Sequence, residues 1–291
     1  MIKLDIAHKT FIDQLKSDGK SDSTLIAYKK DIEQLNKHLQ DKGVNLVSEI
    51  TITHLEDFMK NLFNNNYTPK SISRKTNATR TYIKYLHTKG YVKEDISTQL
   101  KHPKLDIKAP RILSKLEYRA LRDAARDDIR TYAMLEVLLQ AGLTISELAD
   151  MKVEHVDIKN ETGTLFVPKK NNKEARNVPL NKAVVEAINK YSKDERPTLE
   201  NAKHLFITKT GNALLVRNIR STIDRYFKLA GVEKAKVNDL RHTFVAHHLA
   251  AGVSILHLSK IAGHKRVSTT ERYLQYVERV EPSEKTELGV L

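Results

Sequence analysis

Three polar residues in the last fifth of the chain, Arg241, His264 and Tyr273, sit where hydrophobic spacing gives no reason for them. Arginine carries a planar fork that holds two oxygens of an anion at once, which lysine cannot do. Histidine donates or accepts a hydrogen bond, and a tyrosine hydroxyl is a potential nucleophile. Each also has a plainer reading. Tyr273 shares a helical face with Tyr276, Val277 and Val280 and could be core, a lone arginine at a helix start is often a surface residue, and lone histidines are often structural.

The segment that must position them, Asn238 to Glu278, reads as three short helices separated by glycine stops. Gly252 ends the first. Ser254 caps a second with an Ile255, Leu258, Ile261 stripe, which Gly263 ends. Ser268 with Glu271 three residues on predicts a capping box opening the third.

The chain has 291 residues, enough for one large domain or two ordinary ones, and at 40% hydrophobic and 30% charged it can build a core. Its formal charge of +14, with a pI near 9.6, points to a polyanionic partner, nucleic acid above all. Absence of cysteine excludes disulfides, thiolate metal sites and a cysteine nucleophile. The N-terminus lacks a continuous apolar run, and no stretch approaches the roughly 18 apolar residues of a membrane span. The expectation is a cytoplasmic protein with no membrane partner.

Four helices are expected in the first 90 residues: 2–17, with Ile6, Phe11, Ile12 and Leu15 as apolar residues; a second capped in Ser21–Thr24 and stopped at Gly43; a third from near Thr51; and a fourth from TPKS to Gly90. Between Asn61 and Gly90 lie six Lys or Arg residues and no acidic one. Lys70, Ser73, Arg74, Lys75, Asn77 and Arg80 therefore predict a helix that meets a phosphate backbone or a major groove, the plainer reading being a solvated face. Pro103 and Pro110 mark an extended linker. The division is thus a helical DNA-binding domain at 1–100, a linker at 101–112, a second domain at 113–280 and a tail at 281–291. In the second domain Ser114 caps a helix, and 130–149 forms an apolar helix pair. TLFVP and ARNVPL make two strands joined by a lysine–asparagine turn, and HLFIT is a candidate third strand. Residues 214–230 return to a helix presenting Arg217, Arg220 and Arg225.

RHTF, then GH, then TT-x-x-Y with Tyr273 nine residues after His264, resembles the tyrosine recombinase (phage integrase) family, closest to its compact two-domain Xer-like members. S-x-x-T-x-x-x-Y at Ser21–Tyr28 is similar to the family's core-binding domain, AGLTISEL to its TGLRISEL, and KKNNKEARNVPL to its GKGNKERLVPL turn. The resemblance covers essentially the whole chain. It implies a mainly α fold with a small β-sheet: a SAM-like helical core-binding domain plus an α+β catalytic domain, the two closing as a basic clamp on duplex DNA. It implies strand cleavage and rejoining through a 3′-phosphotyrosyl link with no metal or other cofactor, by a tetramer on two DNA sites. Tyr273 matches the nucleophile, Arg241 the second catalytic arginine and His264 a hydrogen-bond donor to the phosphate. Lys170 matches the lysine that protonates the leaving oxygen, with Lys169 and Lys173 as neighbours that keep this choice open.

Two positions depart from the family. Thr144 stands where it has its first arginine, and Asn238 where it has a histidine three residues before the second. Losing one stabilising donor costs about a hundred- to a thousandfold in rate. Either another cation such as Arg130 substitutes, or the chain is a weakened or inactive relative acting as a DNA-binding or architectural protein, or the residue was altered deliberately.

Overall fold

The structure is a computed structural model that describes residues 2–105, 109–170, 173–199, 201–277 and 289. The chain divides into two compact units, Met1–Ile107 and Lys108–Leu291.

The first unit holds α1 (Leu4–Ser17), α2 (Asp22–Asp41), α3 (Ile52–Asn64) and α4 (Pro69–Thr88). Ser21, Thr51 and Thr68 each accept a backbone N–H at an N-cap, and Pro69 takes the first helical position, where a missing N–H costs nothing. Leu4, Ala7, Phe11 and Leu15 are the buried stripe of α1, packed with Leu35, Phe58 and Tyr82. Ile6, expected in that stripe, is instead 55% exposed. The helix axis follows the longer Leu4–Leu15 row, and Ile6 falls off it.

The second unit packs α5 (Lys115–Ala124), α6 (Ile129–Gln140), α7 (Ile145–Ala149), α8 (Lys182–Asp194), α9 (Val216–Leu229), α10 (Val237–Ala250), α11 (Ile255–Ala262) and α12 (Ser268–Glu271) with a three-stranded sheet. α6 and α10 are its centre: nine of the 12 residues of α6 are buried. The turn after α6 approaches α10 so closely that a Cβ on Gly142 would lie 2.2 Å from the Phe244 ring. Only glycine fits there, and its positive φ of 60° agrees.

The sheet is an antiparallel meander, β1 (Val156–Lys159), β2 (Thr162–Val167) and β3 (Arg176–Leu180), with Val156 opposite Leu165 and Leu165 opposite Val178. Leu165, Val167, Val178 and Leu180 face the core. HLFIT is not the third strand. It makes only single bridges, His204 to Lys152 and Ile207 to Ala213, while VDIK upstream forms β1 through a tight turn at Asn160, φ 57°. Four alternating residues are too short a pattern to announce a strand, and the apolar content of HLFIT reflects burial of Leu205, Phe206 and Ile207 rather than pairing.

The predicted capping box at Ser268 is also absent. Val267 holds the N-cap position with no side-chain bond, and α12 tightens after one turn into a 3₁₀ turn, Arg272–Tyr276. Ser254 takes its N-cap position but makes no side-chain cap bond. Val280 and residues 281–288 lie outside the described residues.

Candidate active site

Arg241 lies one turn into α10 and is 6% exposed. Its Nη1 donates to the Gly142 carbonyl at 2.5 Å and its Nη2 to the Ala262 carbonyl. The close packing at Gly142 and the C-terminal end of α11 thus aim one guanidinium. Burial weakens its hold on its proton; the Glu147 carboxylate opposes that and Arg176 adds to it.

A second guanidinium stands beside the first. Arg176, opening β3, donates from Nε to the Ile261 carbonyl at 2.7 Å and from Nη1 to Glu147 Oε1 at 3.0 Å. Its side chain is 8% exposed, and its Nη2 is buried without a hydrogen-bond partner among the described residues. The two arginines therefore grip consecutive carbonyls at the end of α11. Gly263 follows in the left-handed region at φ 68°, and a Cβ there would fall 2.7 Å from the Arg176 Cζ. Glycine is required twice over, by the turn and by the cation.

Glu147 joins these parts. Its Oε2 accepts the Thr144 N–H at 2.8 Å, and its Oε1 accepts from Arg176 and from Lys173 Nζ at 3.2 Å. Burial pushes its carboxyl upward, but the Arg176 hydrogen bond and charge outweigh this and hold it down to about 2. Thr144 is the N-cap of α7, its Oγ1 accepting the Glu147 N–H at 3.3 Å. The residue in place of the family's first arginine is thus a helix cap in a Thr-x-x-Glu capping box.

Gly263 delivers His264, whose Nδ1 lies 2.7 Å from the hydroxyl of the fully buried Thr270. In the tautomer where Thr270 donates to Nδ1, the imidazole proton sits on Nε2. Burial, then Arg241 and Lys173, pushes the imidazole down to about 4, so it is neutral near pH 7. Its ring stacks on Tyr273, 6.4 Å between centroids and 9° from parallel. Tyr273 is 6% exposed, and burial raises its hydroxyl's affinity for its proton against the pull of Arg241. Its Oη lies 2.5 Å from Nδ1 of His242, and the Nε2 of His242 lies 2.7 Å from the Asn238 amide.

Arg241, His264, Tyr273, Thr144 and Asn238 therefore converge on one site. Lys170 is 59% exposed and ion-paired to Asp150, Lys169 pairs with Glu174 at 3.1 Å, and Lys173 is the hairpin lysine that reaches Glu147. Arg130 donates to the Ile207 carbonyl at 3.0 Å, and no contact among the described residues joins it to Arg241, His264 or Tyr273.

On α4, Lys70, Arg74 and Asn77 are exposed and Ser73 and Arg80 half-buried. Lys75, expected to face DNA, is instead 5% exposed, donating to Asp31 Oδ1 at 2.8 Å and Gln34 Oε1 at 2.6 Å. Arg74 pairs with the same buried Asp31. The acidic partner absent along α4 comes from α2, which spacing within one helix could not reveal. Arg217, Arg220, Arg225 and Lys228 lie together on the exposed face of α9.

His242, Glu147 and Arg176 escaped sequence reasoning as site residues. His242 was visible only as a letter in RHTF, and Glu147 was readable as the capping-box partner of Thr144. Nothing in sequence spacing links Arg176 to a carbonyl 85 residues later.

The second unit is a mostly helical body that encloses a tyrosine between two histidines, beside paired arginines. The chain belongs to the phage integrase family, whose model matches residues 111–279, and the family's N-terminal SAM-like domain matches 9–90. It is a tyrosine-type site-specific DNA recombinase. Similar curated proteins include a tyrosine recombinase XerC of Natranaerobius thermophilus, 30% identical over 90% of this chain and 91% of that one. A XerD of Proteus mirabilis is 29% identical over 92% and 88%. Among solved structures, a lambda integrase (75–356) dimer bound to a COC′ core site shares the fold at a TM-score of 0.75 and 16% identity, over 98% of this chain and 100% of that one. These relatives are recombinases or integrases by name, so nothing in them favours a binding-only protein. Among the described residues no helix is long and apolar enough to cross a membrane.

Proposed function

We propose that this chain cleaves and rejoins duplex DNA with Tyr273 as nucleophile, and that Arg176 supplies the cation missing at Thr144. The Tyr273 oxygen attacks the scissile phosphorus, a 3′-phosphotyrosyl link forms, and the 5′-oxygen leaves with a proton from the β2–β3 hairpin. Lys170 is that donor by resemblance, and Lys173 by its place beside Glu147. Arg241 and His264 bind the non-bridging oxygens, whose negative charge grows in the transition state. The observation that carries this reading is the pair of guanidiniums on the consecutive Ile261 and Ala262 carbonyls, flanking His264 and Tyr273. Threonine's short neutral hydroxyl, already capping α7, cannot do the work of a cation.

Lys70, Ser73, Arg74, Asn77 and Arg80 on α4, with Arg217 and Arg220 on α9, meet DNA, with phosphate contacts dominating affinity. The working assembly is a tetramer on two DNA sites, as in a lambda integrase tetramer bound to a Holliday junction, and acts in the cytoplasm.

The test uses a nicked duplex whose site is recovered by binding this chain to a randomised duplex pool. A covalent protein–DNA band that Tyr273→Phe abolishes supports the reading. Tight binding with no band sinks it.

A further inference from the structure

Asn238 leaves the family's histidine position without a group that exchanges protons near neutrality. One helical turn further along α10, at i+4 on the same face, stands a histidine that touches the reacting atom itself. His242 Nδ1 is 2.5 Å from Tyr273 Oη, and this is the hydrogen bond of that hydroxyl among the described residues. The other imidazole at the tyrosine, His264, lies flat against its ring with Nδ1 engaged by Thr270. The rings of His242 and Tyr273 are 5.7 Å apart and tilted by 44°, so the first meets the second through its edge nitrogen.

We propose that His242 is the general base for Tyr273, and that Asn238 holds it in the required tautomer. This deepens the proposed function and rests on Tyr273 being the nucleophile. The Asn238 amide meets Nε2 through Nδ2 at 2.7 Å. A half-turn of the amide exchanges its two ends, which have the same shape. With Oδ1 on Nε2, the imidazole proton is kept there and the Nδ1 lone pair faces Oη. As the Oη–phosphorus bond forms and the phosphorus–O5′ bond breaks, the Oη proton passes to Nδ1, and the 5′-oxygen takes its proton from the hairpin lysine. On rejoining, His242 returns the proton to the departing tyrosine. Asparagine at position 238 then has a function of its own, the orienting of a base.

Charge around the ring agrees. Asp239 and Arg241 on α10, Tyr273 on the last turn and His264 after α11 face it, and burial, stronger than the opposing pull of Asp239, keeps the imidazole neutral at neutral pH. The base is thus present in its working form.

The test measures single-turnover covalent adduct formation by the full chain on the selected nicked duplex, with oxygen or sulfur at the 5′ bridging position. A sulfur leaving group needs no proton, so it relieves loss of the lysine but not loss of a base. His242→Gln is expected to slow adduct formation about a hundredfold or more on both substrates at unchanged DNA affinity, and to lose the acid limb of the pH–rate profile. Asn238→Asp, whose carboxylate can only accept from Nε2–H, stays within about tenfold of the parent; Asn238→Ala, which leaves the tyrosine contact alone, slows adduct formation if His242→Gln does not fold. Parent-like cleavage by His242→Gln, rescue of it by sulfur, or collapse of Asn238→Asp overturns the proposal. A parent chain that forms no adduct overturns the recombinase reading and this inference with it.

Discussion

Glu147→Gln removes the charge that holds Arg176 and the hairpin lysine Lys173 in place. The substitution keeps the shape of the side chain and its Oε1 acceptor, removes the negative charge facing Arg176 and Lys173, and puts an amide NH2 where Oε2 accepts the Thr144 N–H. The carboxyl falls from 4.5 to about 2 on folding, because the Arg176 hydrogen bond and charge outweigh burial. At about 1.4 kcal/mol per pH unit, that difference stabilises the fold by about 3 kcal/mol. For a carboxylate with a depressed folded pKa, the stabilisation is complete above 4.5 and is lost as pH falls through about 2. Glu147→Gln should therefore cost about 2–3 kcal/mol at pH 7.5, about 1 kcal/mol near pH 3, and almost nothing near pH 2. Urea unfolding of the full chain by circular dichroism reads the cost, and hydrogen exchange in α6 and α10 assigns the transition to the second unit. With a slope of about 2 kcal/mol per molar urea, the midpoint moves by about 1 M. An unchanged midpoint at pH 7.5, or an equal penalty at pH 3, would refute the central role given to this carboxylate.

Arg176→Lys should lower adduct formation about a hundredfold at unchanged DNA affinity, because an ammonium cannot hold Ile261, Glu147 and a phosphoryl oxygen together. Thr144→Arg should lose about 1 kcal/mol with the α7 cap and change cleavage less than tenfold in the parent, measured on the same nicked duplex; a large gain would show the cation role unfilled. Lys75→Met should cost about 2 kcal/mol in urea unfolding, less than a fully broken buried pair because Arg74 still reaches Asp31, and leave the salt dependence of DNA binding unchanged. Arg220→Ala should reduce the slope of log affinity against log salt by about 1, measured by fluorescence anisotropy on the selected duplex.

Much of the architecture is legible in the amino-acid order because the signals are local. Ser21, Thr51 and Ser114 cap helices where their spacing predicts it, and Gly263 stops α11 in the left-handed turn that delivers His264. Where the signal was too short, as for VDIK, or imitated by burial, as for HLFIT, the strand order came out differently. Within the basic run on α4, Lys75 alone departs from its expected place, for another reason. Lys75 is satisfied by Asp31 from a different helix, and no periodicity within α4 carries that information.

The class of chemistry is written in residue types and spacing: a tyrosine nine residues after a histidine, an arginine in RHTF, a basic chain without cysteine, and two departures at Thr144 and Asn238. Which side chains stand beside those departures follows from the fold alone. It brings Arg176 to Ile261 and turns His242 onto Tyr273. Residue types and their spacing are local properties of a chain. The partners of a guanidinium or an imidazole are set by which backbone carbonyls and rings distant segments bring within 3 Å, and that follows from packing α6, α10 and α11 around Gly142 and Gly263.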